Sequence, residues 1–270
     1  MGLATARLLS EQGANVWLLA RRPDNLAEAL KTVEAAASDR IQHFGTVVAD
    51  VTDQEQVQKA IARVIQTAGL PDLVINSAGA AHPGYLHELG MDAFHAMMDL
   101  NYFGTINVVH ALLPAMISRR AGYIVNIASE LAFLGVFGYS AYVPSKYAVR
   151  GYSDVLRVEM KPFGIAVSIV FPPDTDTPGF AHENLTKPME TKELGSSLVS
   201  PEVIARAILK GVRRGQYIIL PGLESNVLYR AHHLIGNAIY PIMDMLTAQA
   251  QRKKEKMQSQ SEHSAPVHEA

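Results

Sequence analysis

The sequence predicts an α/β protein built on a doubly wound parallel sheet in a single domain. Three observations predict it. Short apolar runs rich in Val, Ile and Leu alternate with segments of helical period along the whole chain. Those runs lack strict polar alternation, as strands covered on both faces require. The 270 residues are 48% hydrophobic, enough for one sizeable core, and no repeat or linker divides them.

The elements follow in order. Residues 2–12 read as a helix closed by Gly13, and 15–20 (NVWLLA) as a buried strand. Asp24 is placed to cap a second helix to about residue 37, before a strand at 46–49. Asp53 begins a third helix to residue 68, leading to a strand at 72–76. A long helix near 91–120 precedes a strand at 123–128, and a helix at about 139–163 precedes a strand at 165–171. Residues 172–200 show no clear period and are expected to form a long lid loop. Pro201 opens a helix to 214, and 216–220 forms a last strand. These elements make one domain over 1–222, with a helical tail at 223–250 and a polar, disordered end at 251–270.

Composition narrows the function classes. With 24 Lys+Arg against 26 Asp+Glu the net charge is −2, so no positive field holds nucleic acid. There is no cysteine, which removes disulfides, thiolate nucleophiles and zinc-thiolate sites. The ten histidines show neither HExxH nor a closely spaced His/carboxylate pair on a plausible helix face, so no metal is expected. No apolar run approaching ~20 residues is read as a membrane span.

Chemistry concentrates around Tyr142-Val-Pro-Ser-Lys146, where tyrosine and lysine share one helical face. A phenol ionises near pH ~10, and a nearby ammonium lowers that value, making an acid usable near neutrality. Ser129 ends the strand YIVNIAS, Asn76-Ser-Ala-Gly79 ends the preceding one, and Asn101 follows the helical run AFHAMMDL. The carboxyl edge of a parallel sheet is where such proteins bind ligands.

Taken together, these residues resemble the short-chain dehydrogenase/reductase family, which has a Rossmann-like fold. The resemblance covers essentially the whole chain. It implies that Tyr142 donates a proton to a ketone oxygen, Ser129 fixes that oxygen, Lys146 lowers the tyrosine pKa and holds the nicotinamide ribose, and Asn101 holds a water. Ala20-Arg21-Arg22 stands where NAD-dependent members carry an acidic residue, so the implied cofactor is NADPH/NADP, with Arg21 on the 2′-phosphate. The remaining implied cofactor contacts are Gly2, Asp50, Val51, Asn76, Ala78, Gly79, Pro172 and Thr177.

Family members carry Pro-Gly after the sixth family strand, whereas FPPDTDTPGF keeps Pro172 and Thr177 and has Pro173 for the glycine. The longer string resembles the branch that reduces 3-ketodihydrosphingosine, implying a long-chain sphingoid ketone substrate, with FLGVF at 133–137 as an apolar wall for its acyl chain. A ketosteroid or 3-oxoacyl reductase, and a catalytically impaired product, remain alternatives. The branch also implies the cytoplasmic side of the endoplasmic reticulum membrane in a eukaryote. Peripheral membrane contact through the tail and a homo-oligomer are among the expected partnerships.

The resemblance places one more strand and a glycine-rich turn ahead of residue 2, between the strands at 15–20 and 72–76. These 270 residues alone are therefore expected to aggregate and to lose NADPH binding, with roughly 10 to 20 upstream residues restoring both.

Overall fold

A computed structural model describes residues 1–193 and 198–263. All strands run parallel: β1 (Val16–Ala20) pairs with β2 (Phe44–Val48), and a second sheet has the order β3 (Leu73–Asn76), β4 (Gly122–Ile127), β5 (Ile165–Val170), β6 (Ile218–Ile219). Among the described residues no strand joins β1 to β3.

Adjacent residues of β4 explain the double winding, because successive side chains of a strand point to opposite faces. Ile124 is fully buried among Val57 and Ile61 of α3 (Gln54–Ala68), Val109 and Leu112 of α5 (Gly104–Arg119), and Leu156 of α6 (Tyr142–Met160). Val125 is equally buried toward the other face, with Ile204 and Ile208 of α9 (Pro201–Arg213). The helices α1 (Gly2–Glu11) and α2 (Pro23–Glu34) pack together, and α1 lies against α9.

Local signals explain most boundaries. The Asp53 carboxylate accepts from Gln56 N at 3.0 Å and caps α3 as its sequence predicts. Asp24 does not cap: Arg22 holds that place, Pro23 takes the first helical position, and Asp24 sits in the first turn, where its charge suits the helix dipole. β6 is two residues rather than five.

The long helix expected near 91–120 is present. The stretch from Met91 to Arg119 is one continuous helical path, α4 (Met91–Met97), a π-turn (Met98–Phe103) and α5. By length and composition it could cross a membrane, its most apolar 18 residues having a mean hydropathy of 1.3. Its apolar character instead fills the core, where Val109, Leu112 and Met116 are essentially inaccessible.

The expected lid loop contains two helices, α7 (Pro178–Thr186) and α8 (Met189–Glu193). Thr177 caps α7 by accepting from Phe180 N at 3.1 Å, with Pro178 at the first position, so local capping outweighs the weak period. Gly138 lets α8 dock: its φ is 82°, and a Cβ there would stand 2.5 Å from Thr191 Oγ1.

The chain then forms α10 (Gly222–Ile235) and α11 (Ile239–His263). Residues 251–263, expected to be disordered, belong to α11, and 264–270 lie outside the described residues. The physical reason is an anchor: Lys254 Nζ reaches Glu190 Oε1 at 3.1 Å and Tyr85 Oη at 2.8 Å. Phe133 does not present an open wall. It is 1% exposed and packs edge-on against Phe171 and Tyr229, which fastens α10 to the sheet.

Candidate active site

The site lies where β3, β4 and β5 end, beneath α7. A cavity of about 320 Å³ is lined by Gly79, Ser129, Tyr142, Lys146, Pro172 and Thr177 among others, within the ~300–1,000 Å³ usual for small-ligand pockets. Its apolar side comprises Leu131, Leu134, Val136, Phe180 and Leu228. A second cavity of about 400 Å³ lies beneath α11. Leu134 borders both. The second cavity touches neither Ser129 nor Tyr142, so the candidate groups line the first.

The candidate groups are set by backbone. Tyr142 opens α6 and Lys146 follows one turn later, with Nζ donating to Ile127 O at 3.1 Å and standing 5.8 Å from the Tyr142 ring centre. Ser129 leaves β4 in extended conformation and caps a 3₁₀ turn, its Oγ accepting from Leu131 N at 3.2 Å. Asn101, in the π-turn, accepts from Ala80 N and donates to Ala80 O, both at 3.0 Å, and donates to Ser145 Oγ at 2.9 Å. Ser145 in turn donates to the Tyr142 carbonyl at 2.6 Å. Gly79 is required here, because a Cβ would stand 2.8 Å from Asn101 Oδ1 and 3.3 Å from Lys146 Nζ.

Electrostatics keep the phenol protonated. Burial pushes the Tyr142 pKa well above its ordinary value; the Ser129 hydroxyl pulls it down, and the Glu183 and Asp174 carboxylates push it up. Burial also lowers Lys146 to about 8. In this arrangement burial is the largest influence on the Tyr142 phenol, and the Lys146 ammonium donates to the Ile127 carbonyl. Glu130, next to Ser129, is also raised by burial.

The expected cofactor contacts fall along the strand ends. Arg21, beyond β1, pairs with Asp50, beyond β2, at 3.1 Å, and three quarters of its side chain stays in solvent. Partial burial works to raise the Asp50 carboxyl, but hydrogen bonds from Thr52 and Arg21 hold it below its ordinary value. Val51 is turned into the core, and its carbonyl accepts from Asn107 at 2.9 Å. Asn76 donates to Asn126 at 2.9 Å, and Asn126 to Ser153 at 2.9 Å, a buried polar chain tying β3 to β4 and α6. Ala78 is exposed beside Gly79. Gly2 packs against Ser77, and a Cβ there would stand 3.1 Å from its Oγ.

Sequence reasoning missed a polar group on the cavity's other wall. The Tyr139 hydroxyl donates to Glu183, and Lys187 Nζ stands 3.1 Å from Glu183 Oε1. Burial, then the Glu183 charge, pushes the Tyr139 phenol upward. The available signal was the i, i+4 spacing of Glu183 and Lys187, hidden because the segment reads as a loop.

Comparisons with known proteins agree with this geometry. The family described as short chain dehydrogenase matches residues 1–188. A 3-dehydrosphinganine reductase of Danio rerio is 38% identical over 220 residues, 80% of this chain and 66% of that protein. A 3-ketodihydrosphingosine reductase of Dictyostelium discoideum is 43% identical over 176 residues, 63% of this chain and 53% of that protein. The chain thus spans between about half and two thirds of such relatives. Among solved structures, a short-chain dehydrogenase from Streptomyces avermitilis superposes with a TM-score of 0.74 at 28% identity, over 92% of this chain and 93% of that one. A short-chain dehydrogenase from Sphingobium yanoikuyae in complex with NADPH, 20% identical, covers 100% of this chain and 93% of its own, with a TM-score of 0.73, and shares the fold. With a match over most of its length, this chain belongs to the short-chain dehydrogenase family.

Proposed function

We propose that the protein reduces the ketone of a long-chain 3-keto sphingoid base to the alcohol, with NADPH as reductant. The observation that carries the reading is the meeting of Tyr142, Ser129 and Lys146 in one cavity that has an apolar side at Leu131, Leu134, Val136, Phe180 and Leu228. The names of its relatives supply the substrate class.

The residues fit the cofactor. Gly79 leaves open the space that a Cβ would fill beside Asn101 and Lys146, and Arg21 offers an exposed guanidinium beyond β1. Arg21 would hold the 2′-phosphate, Asp50 and Val51 the adenine end, and Tyr142 with Lys146 the nicotinamide ribose. Gly2, Asn76, Ala78, Gly79, Pro172 and Thr177 would line its path. When bound, NADPH supplies the hydride that the carbonyl carbon receives.

The rest is the chain's own work. Ser129 Oγ and Tyr142 Oη donate to the carbonyl oxygen, and both bonds strengthen as negative charge grows there. A phenol raised by burial is a fully protonated donor, and the developing alkoxide is a strong enough base to take its proton. Lys146, whose ammonium loses its proton near pH 8, can pass a proton to the phenolate left behind. Asn101 braces this group through Ala80 and Ser145. The acyl chain lies along Leu131, Leu134 and Val136, and the second cavity continues beyond Leu134. Exposed Leu223, Val227, Leu234 and Tyr240 on α10 and α11 support peripheral membrane contact, as for an enzyme of the endoplasmic reticulum surface.

The test is ketone-dependent NADPH oxidation with 3-ketosphinganine, a ketosteroid and a 3-oxoacyl thioester, repeated with NADH and with Arg21→Ala. The sphingoid ketone should have the highest kcat/KM and NADPH should be preferred. Arg21→Ala should narrow that preference about tenfold, the worth of one charge-assisted contact. Turnover of the steroid or thioester alone would replace this reading.

A further inference from the structure

Glu183, Tyr139 and Phe180 enclose an ammonium. Lys187 Nζ stands 3.1 Å from Glu183 Oε1, 4.4 Å from the Phe180 ring centre and 5.7 Å from that of Tyr139, and its side chain is only 4% exposed. A carboxylate with two aromatic faces is the arrangement that recognises a desolvated alkylammonium. Stability alone does not account for burying it, since a buried ion pair returns little beyond its desolvation cost.

The cage adjoins the reacting groups. Tyr139 and Tyr142 have ring centres 5.8 Å apart, and Glu183, Phe180 and Lys187 line the same cavity as Ser129 and Tyr142. In a 2-amino-3-keto base the ammonium is on the carbon beside the carbonyl. A substrate whose oxygen meets Tyr142 and Ser129 therefore presents its ammonium within a few ångströms of them. Lys187 is at the C-cap of α7, at the helix end, where its side chain can leave without unwinding the helix.

We propose that the Glu183–Tyr139–Phe180 cage is the recognition site for the substrate's 2-ammonium, and that Lys187 occupies it until substrate arrives. Glu183 is thus a specificity-determining residue that separates amine-bearing ketones from plain ones. This inference rests on the sphingoid-ketone reading above.

The experiment compares wild type, Glu183→Gln and Lys187→Met on 3-ketosphinganine and on 1-hydroxyoctadecan-3-one, which lacks the amine, with NADPH. The amide of Glu183→Gln still accepts the Tyr139 hydroxyl, and a thermal melt of each variant reports its fold. Glu183→Gln should raise KM for the amine-bearing ketone about tenfold to a hundredfold and leave KM for the plain ketone unchanged, while the lost charge near Tyr142 alters kcat for both ketones alike. Lys187→Met, which removes the resident competitor, should lower KM for the amine-bearing ketone alone. An equal effect of Glu183→Gln on the KM of both ketones, or a raised KM for both in Lys187→Met, would make the cage a tether of α7 and overturn the proposal. Wild type that reduces both ketones equally well would overturn it while leaving ketone reduction standing. Wild type that reduces neither would overturn both.

Discussion

At the strand ends, Asn101, Ser145 and Lys146 are buried and each is tied to backbone or to a buried neighbour. The cover over them is held differently. The helices α7, α8, α10 and α11 hang on a few side-chain ties, Tyr139 to Glu183, Lys254 to Glu190 and Phe133 to Tyr229, and leave Leu223, Leu234 and Tyr240 in solvent. A reacting group must hold its geometry to a fraction of an ångström, which dense backbone ties provide. A cover must admit and release a long substrate, which sparse ties permit.

Phe133 is the residue where the two regions meet, so it gives the largest expected stability effect. Phe133→Ala empties a fully buried site between Phe171 and Tyr229 and should cost about 3–5 kcal/mol, read as a lowered midpoint in urea unfolding. A loss near zero would show that the cover contributes nothing to the sheet it rests on.

Lys146 gives a smaller, pH-dependent effect. Its pKa is lowered to about 8 from 10.5 by burial, so below pH 8 the folded state carries the whole cost of a buried ammonium. Between about 8 and 10.5 the folded protein has released the proton and the unfolded chain still binds it, so stability rises with pH. Lys146→Met should therefore melt above the parent at neutral pH, with the gap closing as pH rises through that window. Parallel melting curves across the same range would contradict the burial of a charged lysine.

The same contrast explains what was legible in the sequence. The placement of the strand-end group was: helical period puts Tyr142 and Lys146 on one face and the end of an apolar strand puts Ser129 at the sheet's carboxyl edge, while the resemblance to the family joined the two. The cover was not. α7 and α8 read as loop because their period is weak, and what holds them comes from far away: Tyr85 to Glu190 spans 105 positions, and Lys254 to Glu190 spans 64. Such ties exist only once the chain has folded. The extension of α11 past residue 250 was hidden for the same reason, since its polar composition says nothing of the anchor at Lys254.

The central claim is that the Tyr142 hydroxyl supplies the proton to the ketone oxygen. Tyr142→Phe tests it most directly, because the ring still fills its buried site while the acid is gone. NADPH affinity, by fluorescence titration, and the thermal midpoint should stay close to those of the parent, while kcat for 3-ketosphinganine falls roughly 10²- to 10⁴-fold. Near-normal turnover in a folded, NADPH-binding Tyr142→Phe protein would contradict the account.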